Sequence, residues 1–193
     1  MHKVERSELL DLGAYEQLRE HFRARMMAVK ARRRIGLGPH MTLLFENHDT
    51  VLQQVQEMLR TERITDERAI THELQTYNEL IPPLRALCAT LFIEYDDPAE
   101  RRVMLGKLAT LRSELRLRVG AEDHVARFAT HFGEELDRLP AVNYLTFSVA
   151  AETRASLLDA AVPACLAATH PDYAATAELP VALRQELADD LAE

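Results

Sequence analysis

The sequence predicts an α+β fold, with N-terminal helices including a helical hairpin packed on a mostly antiparallel sheet of about five strands. Two observations carry this. Through the first part of the chain apolar residues recur at three- and four-residue steps, the helical period. Beyond the "PP" at Pro82 and Pro83, short apolar or alternating segments of strand length take over. The 193 residues suit one domain spanning 1–193, with no internal repeat and no low-complexity linker.

Tyr15, Leu18, Phe22, Met26 and Val29 form one apolar stripe, so a helix is expected over about 13–34. Lys30 to Arg34 place positive charge in its last turn, where the helix dipole favours it. "GLGP" is expected to stop this helix, with glycine as its left-handed cap. "HMTLLFEN" reads as a strand over about 41–46. The next helix, capped by Asp49 or Thr50, is striped by Val51, Leu52, Val55, Met58 and Leu59. A second follows Thr65 or Asp66 and is striped by Ile70, Leu74, Tyr77 and Ile81. The two make a hairpin.

Residues 87–95, "LCATLFIEY", form a near-continuous apolar run of strand length. A short helix opens with Pro98. "ELRLRV" alternates and reads as a half-buried strand. "DHVARFATHF", 123–132, fits either a helix or a strand, and the short "GAED" before it favours a hairpin strand. "VNYLTFSVA" is a strand, "ETRASLLDAA" a helix, "ACLAAT" an edge strand ended by "HPDY", and "PVALRQELADDL" a terminal helix.

No run of about eighteen apolar residues exists to span a membrane, and the charged N-terminus has no signal-peptide core. Two distant cysteines, Cys88 and Cys165, fit free thiols in a reducing cytoplasm. A net charge of −8 and 6% aromatics argue against nucleic acid as a partner. Charge is nonetheless segregated: Arg19 to Arg34 carry a net +6. Either that helix binds an external anion, or it lies against acidic elements of its own chain.

The functional question centres on the hairpin. At about 100° per residue, Glu57 falls opposite the apolar stripe of its helix and should be solvated, whereas Glu62 falls inside the stripe. On the second helix His72 falls opposite the stripe, Glu73 and Asn78 on its shoulders, and Tyr77 within it. Glu46 and Asn47, closing the preceding strand, can reach the same region. A carboxylate turned inward needs a cation, a metal or a proton. Ion pairing with Arg23, Arg25, Arg32 or Arg33 is one answer, since guanidinium forks onto carboxylate bidentately. A metal held by Glu46, Glu62, His72, Glu73 and Tyr77 is another, though the Glu-x-x-His of di-iron bundles is missing because position 69 is Ala. The third is a phosphate or nucleotide anion on the Arg32–Arg34 patch.

Other motifs carry less. "GLGP" lacks the strand and the further glycine of a dinucleotide loop. His124 and His131 lack a third ligand at close spacing. "HPDY" is a turn signature that can present His170 and Tyr173. No GxSxG elbow exposes a nucleophile.

The run "LLFENHDTVLQQVQEMLRTERI" through "THELQTYNELIP", then "TLFIE", "VNYLTF" and "HPDY" before "LADDL", resembles the bacterial domain-of-unknown-function family 3501 over nearly the whole chain. The resemblance names neither a reaction nor a cofactor. It implies a cytoplasmic redox or peroxide-defence setting for an accessory protein. The associated partners would be an iron–sulfur oxidoreductase subunit or a rubrerythrin-like protein, with room for a homodimer. It directs attention to Glu46, Asn47, Thr50, Gln54, Glu57, Met58, Arg60, Glu62, Glu73, Tyr77 and Asn78.

Overall fold

The computed structural model describes residues 1–129 and 137–192. Helix α1 (Leu12–Arg33) leads into a hairpin of β1 (Arg34–Gly36) and β2 (Met41–Phe45). The helical hairpin is α2 (His48–Glu62) and α3 (Glu67–Tyr77), extended by a 3₁₀ turn at Asn78–Leu80. Then come β3 (Ala86–Ile93), α4 (Pro98–Lys107), β4 (Leu115–Val119), β5 (Glu122–Val125) and β6 (Arg127–Phe128). The chain closes with β7 (Val142–Ser148), α5 (Thr153–Leu158), β8 (Ala164–His170), β9 (Tyr173–Glu178) and α6 (Val181–Asp190).

The fold class is α+β, and its strands form two antiparallel sheets rather than one. The first has the order β1-β2-β3-β7-β6, the second β5-β4-β8-β9. Strand alternation sends Leu43, Phe45, Leu87, Leu91 and Phe147 from one face of the first sheet into a core shared with Leu115, Leu117 and Leu166 of the second and Leu183 and Leu187 of α6. A separate apolar cluster joins Val51, Val55 and Leu59 of α2 to Ile70 and Leu74 of α3, with Tyr144 of β7 packed against it. The hairpin therefore covers the opposite face of the first sheet.

Several local expectations change. Asn47, not Asp49 or Thr50, caps α2: its side chain accepts from the Thr50 N–H, and the Thr50 hydroxyl answers the Asn47 N–H. Gly38 has φ +68° but turns the β1–β2 hairpin, because the chain leaves α1 in extended conformation at Arg34. Residues 122–125 and 127–128 are strand, divided at Ala126 between the two sheets, and 130–132 of that segment lie outside the described residues. Residues 164–170 are an inner strand, because β9 pairs along its other side from Cys165 to His170. The run "YAATAE" hid that strand by lacking large β-branched residues. Of the expected stripe on α1, Tyr15 and Met26 are buried, but Leu18 is 50% exposed.

Tyr173 begins β9 and locks the first hairpin. Its hydroxyl donates to Leu37 O at 2.5 Å and accepts from the His40 N–H at 3.0 Å. A Cβ on Gly38 would lie 2.7 Å from that hydroxyl. Gly38→Ala is therefore expected to destabilise by about 1–3 kcal/mol, combining left-handed strain with the clash, as read from urea unfolding by circular dichroism.

Arg33, 1% exposed, is the deepest charge described. Its Nε donates to Phe45 O at 2.9 Å and one terminal nitrogen to Glu46 O at 3.3 Å. The rest of the fork pairs with Glu186 at 3.0 Å and bidentately with Asp190. Removing it takes the guanidinium away from Glu186 and Asp190 and its donors away from two carbonyls. Arg33→Ala is expected to cost about 3–5 kcal/mol in the same unfolding measurement, against a smaller loss for the exposed Arg25→Ala.

Candidate functional site

A concave site lies between α3 and the first sheet. It is a cavity of about 340 Å³ whose lining includes Glu46, Tyr77, Cys88, Tyr144 and Thr146, with Glu79 among its acids. Its floor follows from strand pairing. Cys88 of β3 faces Thr146 of β7, and Thr90 faces Tyr144, so period-two alternation puts all four on the helix side of the sheet. The Cys88 thiol lies 3.6 Å from the Thr146 hydroxyl.

Glu46 is the centre of the site. It follows the last residue of β2, where the alternation that turns Phe45 into the core turns Glu46 toward the hairpin. It is 2% exposed. The Thr50 hydroxyl donates to one carboxylate oxygen at 2.5 Å and the Thr90 hydroxyl to the other at 2.5 Å. Among the described residues no cation forms an ion pair with this carboxylate, and no Lys, Arg or His lines the cavity. Burial pushes the Cys88 thiol up, and the Glu46 charge adds to that. Tyr144 is raised by burial and then by Glu46; Tyr77 by burial and then by Tyr144, Glu73 and Glu62. At neutral pH these three groups keep their protons, so the cavity offers hydroxyl and thiol donors around a carboxylate acceptor.

The other candidates divide into distinct places. Glu57 does not face water: α1 crosses the outer side of α2 and brings Arg19 onto Glu57 with bonds of 2.9 and 3.0 Å. Tyr15 donates to the same carboxylate at 2.8 Å and Arg60 at 3.2 Å. Glu62 is exposed and Glu73 half-buried, and neither forms an ion pair among the described residues. The inward turn expected of Glu62 fails because it is the last residue of α2, beyond the cover of α3. His72 is exposed, and Glu62, His72 and Glu73 do not gather as a ligand trio. Asn47 is spent on the α2 cap, and Asn78 clamps the Val4 main chain. Arg25 reaches Asp49 at 3.1 Å and Arg32 reaches Glu186 at 2.6 Å, while Arg23 is exposed without an ion pair among the described residues. The Arg32–Arg34 run is no open phosphate patch: Arg32 and Arg33 are paired internally, and Arg34 lies over the Phe92 ring at 6.0 Å. His170 meets Thr110 at 2.9 Å under the β8–β9 turn, outside the cavity.

Sequence reasoning missed Cys88, Thr90, Tyr144 and Thr146. Their signal was a polar or small residue at every second position of β3 and β7, masked in β3 by the apolar run around it.

The fold and cavity define an α+β protein with an acidic, tyrosine-walled pocket and place it in no reaction class. The chain belongs to the family described as "Protein of unknown function (DUF3501)", which it matches over residues 3–191. A solved structure of a novel protein of unknown function from Burkholderia pseudomallei K96243 is 34% identical, with a TM-score of 0.90, covering 98% of this chain and 100% of that one. No curated protein matches. No described helix is long and apolar enough to cross a membrane.

Burial pushes Glu57 up, but the hydrogen bonds from Arg19, Tyr15 and Arg60 outweigh it and hold the carboxyl at about 2, below its ordinary 4.5. A depressed folded-state value gives stability that is complete above about pH 4.5 and lost as pH falls toward 2. Glu57→Gln should therefore flatten the acid limb of the stability curve within that window, as followed by urea midpoints across pH.

Proposed function

We propose that the protein is a ligand-binding accessory protein whose Glu46 cavity takes a small cationic metabolite, an aliphatic amine or guanidinium compound. One observation carries this reading: a carboxylate 2% exposed borders a cavity, is met by two hydroxyl donors and forms no ion pair among the described residues. Two hydroxyl bonds orient a carboxylate but do not cancel its charge, and the half-buried Lys30 acts on it without forming an ion pair, so a cation entering the cavity gains Coulomb energy that water screens less than at the surface. The Tyr77 and Tyr144 rings are suited to an ammonium's outer face. Glu79, exposed at the lining, extends the same preference. A volume of about 340 Å³ stands at the small end of ligand pockets and suits a metabolite rather than a peptide.

Binding fits this chemistry better than turnover. The thiol keeps its proton, and no imidazole among the described lining residues is placed to remove it. The wider role is a proposal carried by the family resemblance: an accessory protein in a bacterial cytoplasmic redox or peroxide-defence system, working with an iron–sulfur oxidoreductase subunit or a rubrerythrin-like protein. Native co-purification tests that role separately.

The cavity reading is tested by thermal shift and calorimetry with small aliphatic mono- and diamines, each beside its N-acetyl derivative. Free amines are expected to raise the melting temperature and acetylated ones to leave it unchanged. Glu46→Gln should weaken amine binding by roughly tenfold to a hundredfold, the cost of losing one charge-assisted contact of about 1.5–3 kcal/mol. Equal response to amines and amides, or full binding by Glu46→Gln, would defeat the reading.

A further inference from the structure

The N-terminal segment brings a second cluster of reactive side chains to the first turn of α2. Val4 is buried, and Asn78 clamps its main chain: the Val4 N–H donates to Asn78 Oδ1 at 2.8 Å, and Asn78 Nδ2 donates to Val4 O at 3.0 Å. On the other side of His2, the Met1 thioether accepts from the His48 N–H at 3.2 Å. Held at both flanks, His2 places its ring 4.3 Å from the ring of His48.

Glu8 completes the group from the short 3₁₀ turn Arg6–Glu8. Its Oε1 lies 3.0 Å from His48 Nε2, while Oε2 accepts from the Glu5 N–H at 2.6 Å, which fixes the carboxylate's orientation. One ligand atom from each of His2, Glu8 and His48 lies within 4.8 Å of the others. His48 Nε2 is shielded from solvent, and despite that distance it makes no aligned hydrogen bond. Its other ring nitrogen stands 3.7 Å from Asp49 Oδ1. That distance is an electrostatic contact, longer than the hydrogen bond by which a carboxylate commonly orients a ligating imidazole.

We propose that His2, Glu8 and His48 form a site for a divalent first-row transition ion, with two imidazole nitrogens and one carboxylate oxygen as protein ligands and the remaining positions open to water. The donor set selects this class. Imidazole suits zinc, iron, cobalt, nickel and copper, whereas magnesium and calcium prefer all-oxygen shells. Metal–ligand bonds of about 2.0–2.2 Å put tetrahedral ligands roughly 3.3 Å apart. The Glu8–His48 edge already has nearly that length, and the remaining edges lie within 4.8 Å. The carboxylates of Glu8 and Asp49 offset the positive end of the α2 dipole, which on its own would repel a cation. This site shares no ligand with the Glu46 cavity, so either can fail without the other.

Zn²⁺ titrated calorimetrically into chelator-stripped protein tests it, with Co²⁺ as a spectroscopic probe. One equivalent is expected, with visible Co²⁺ bands typical of four- or five-coordination. His2→Ala and Glu8→Gln should each weaken it by at least about tenfold, and His48→Ala should abolish it. His2 is exposed, so its variant keeps the question open should His48→Ala fail to fold. His72→Ala, an exposed histidine elsewhere, should change nothing. Absence of a stoichiometric Zn²⁺ site, or one undiminished in the His2→Ala and Glu8→Gln variants, overturns the proposal.

Discussion

The guanidinium of Arg33 determines where the site can be. It ends α1, yet its donors reach the carbonyls of Phe45 and Glu46, where β2 gives way to α2, and the acids Glu186 and Asp190 of α6. Carbonyls at a buried strand exit need donors, and here the guanidinium supplies them. A lysine could supply charge there but not five donors in a fixed fork. Because Arg33 holds the main chain of residue 46, the Glu46 side chain has one direction left, into the space beneath α3. The cavity chemistry thus depends on a contact made on the far side of the same residue.

The same logic explains the charge segregation. A helix carrying +6 could advertise an anion site, but Arg19, Arg25, Arg32 and Arg33 meet Glu57, Asp49, Glu186 and Asp190. Few apolar side chains of α1 are fully buried, so these pairs set its register across α2 and α6. Exposed pairs are worth little individually, on the order of 0–1 kcal/mol, and act mainly on orientation. The buried Arg33 fork and the partly buried Glu57 network supply the rest. The anion-binding alternative loses much of its motivation because four of the seven cations between Arg19 and Arg34 meet acids of the same chain.

What could be read from the sequence was whatever depends on local period. The stripes of α2 and α3, the Asp66 cap, the proline-led α4 and the alternating β4 and β7 all follow from residues close together in sequence. What could not be read depends on which surface another element covers. Glu57 looks solvent-facing from α2 alone, because nothing in α2 announces that α1 crosses its outer side. Glu62 looks inward by angle alone, because angle carries no information about where the covering element stops. β9 escaped because alanines pack on a pleated face without advertising it. Of the cavity, Glu46 and Tyr77 were visible as polar groups in a suspicious region. Cys88, Thr90, Tyr144 and Thr146 became a set only once the β3–β7 register was known.

The turn spanning residues 46–50 belongs to both proposed sites. Glu46 faces the cavity, Asn47 and Thr50 close the capping box, and His48 points the other way toward His2 and Glu8. Thr50 is the shared part: its hydroxyl bonds the Glu46 carboxylate as well as the Asn47 main chain. A rigid turn with opposed functional side chains cannot reorient one without disturbing the other, since rotation of the first turn of α2 shifts Thr50 and His48 together. Arg33 anchors this turn from below through the Glu46 carbonyl, which leaves side-chain rotation as the freedom available to either site. The two sites are therefore neighbours through a common backbone, built around an arginine that touches neither ligand.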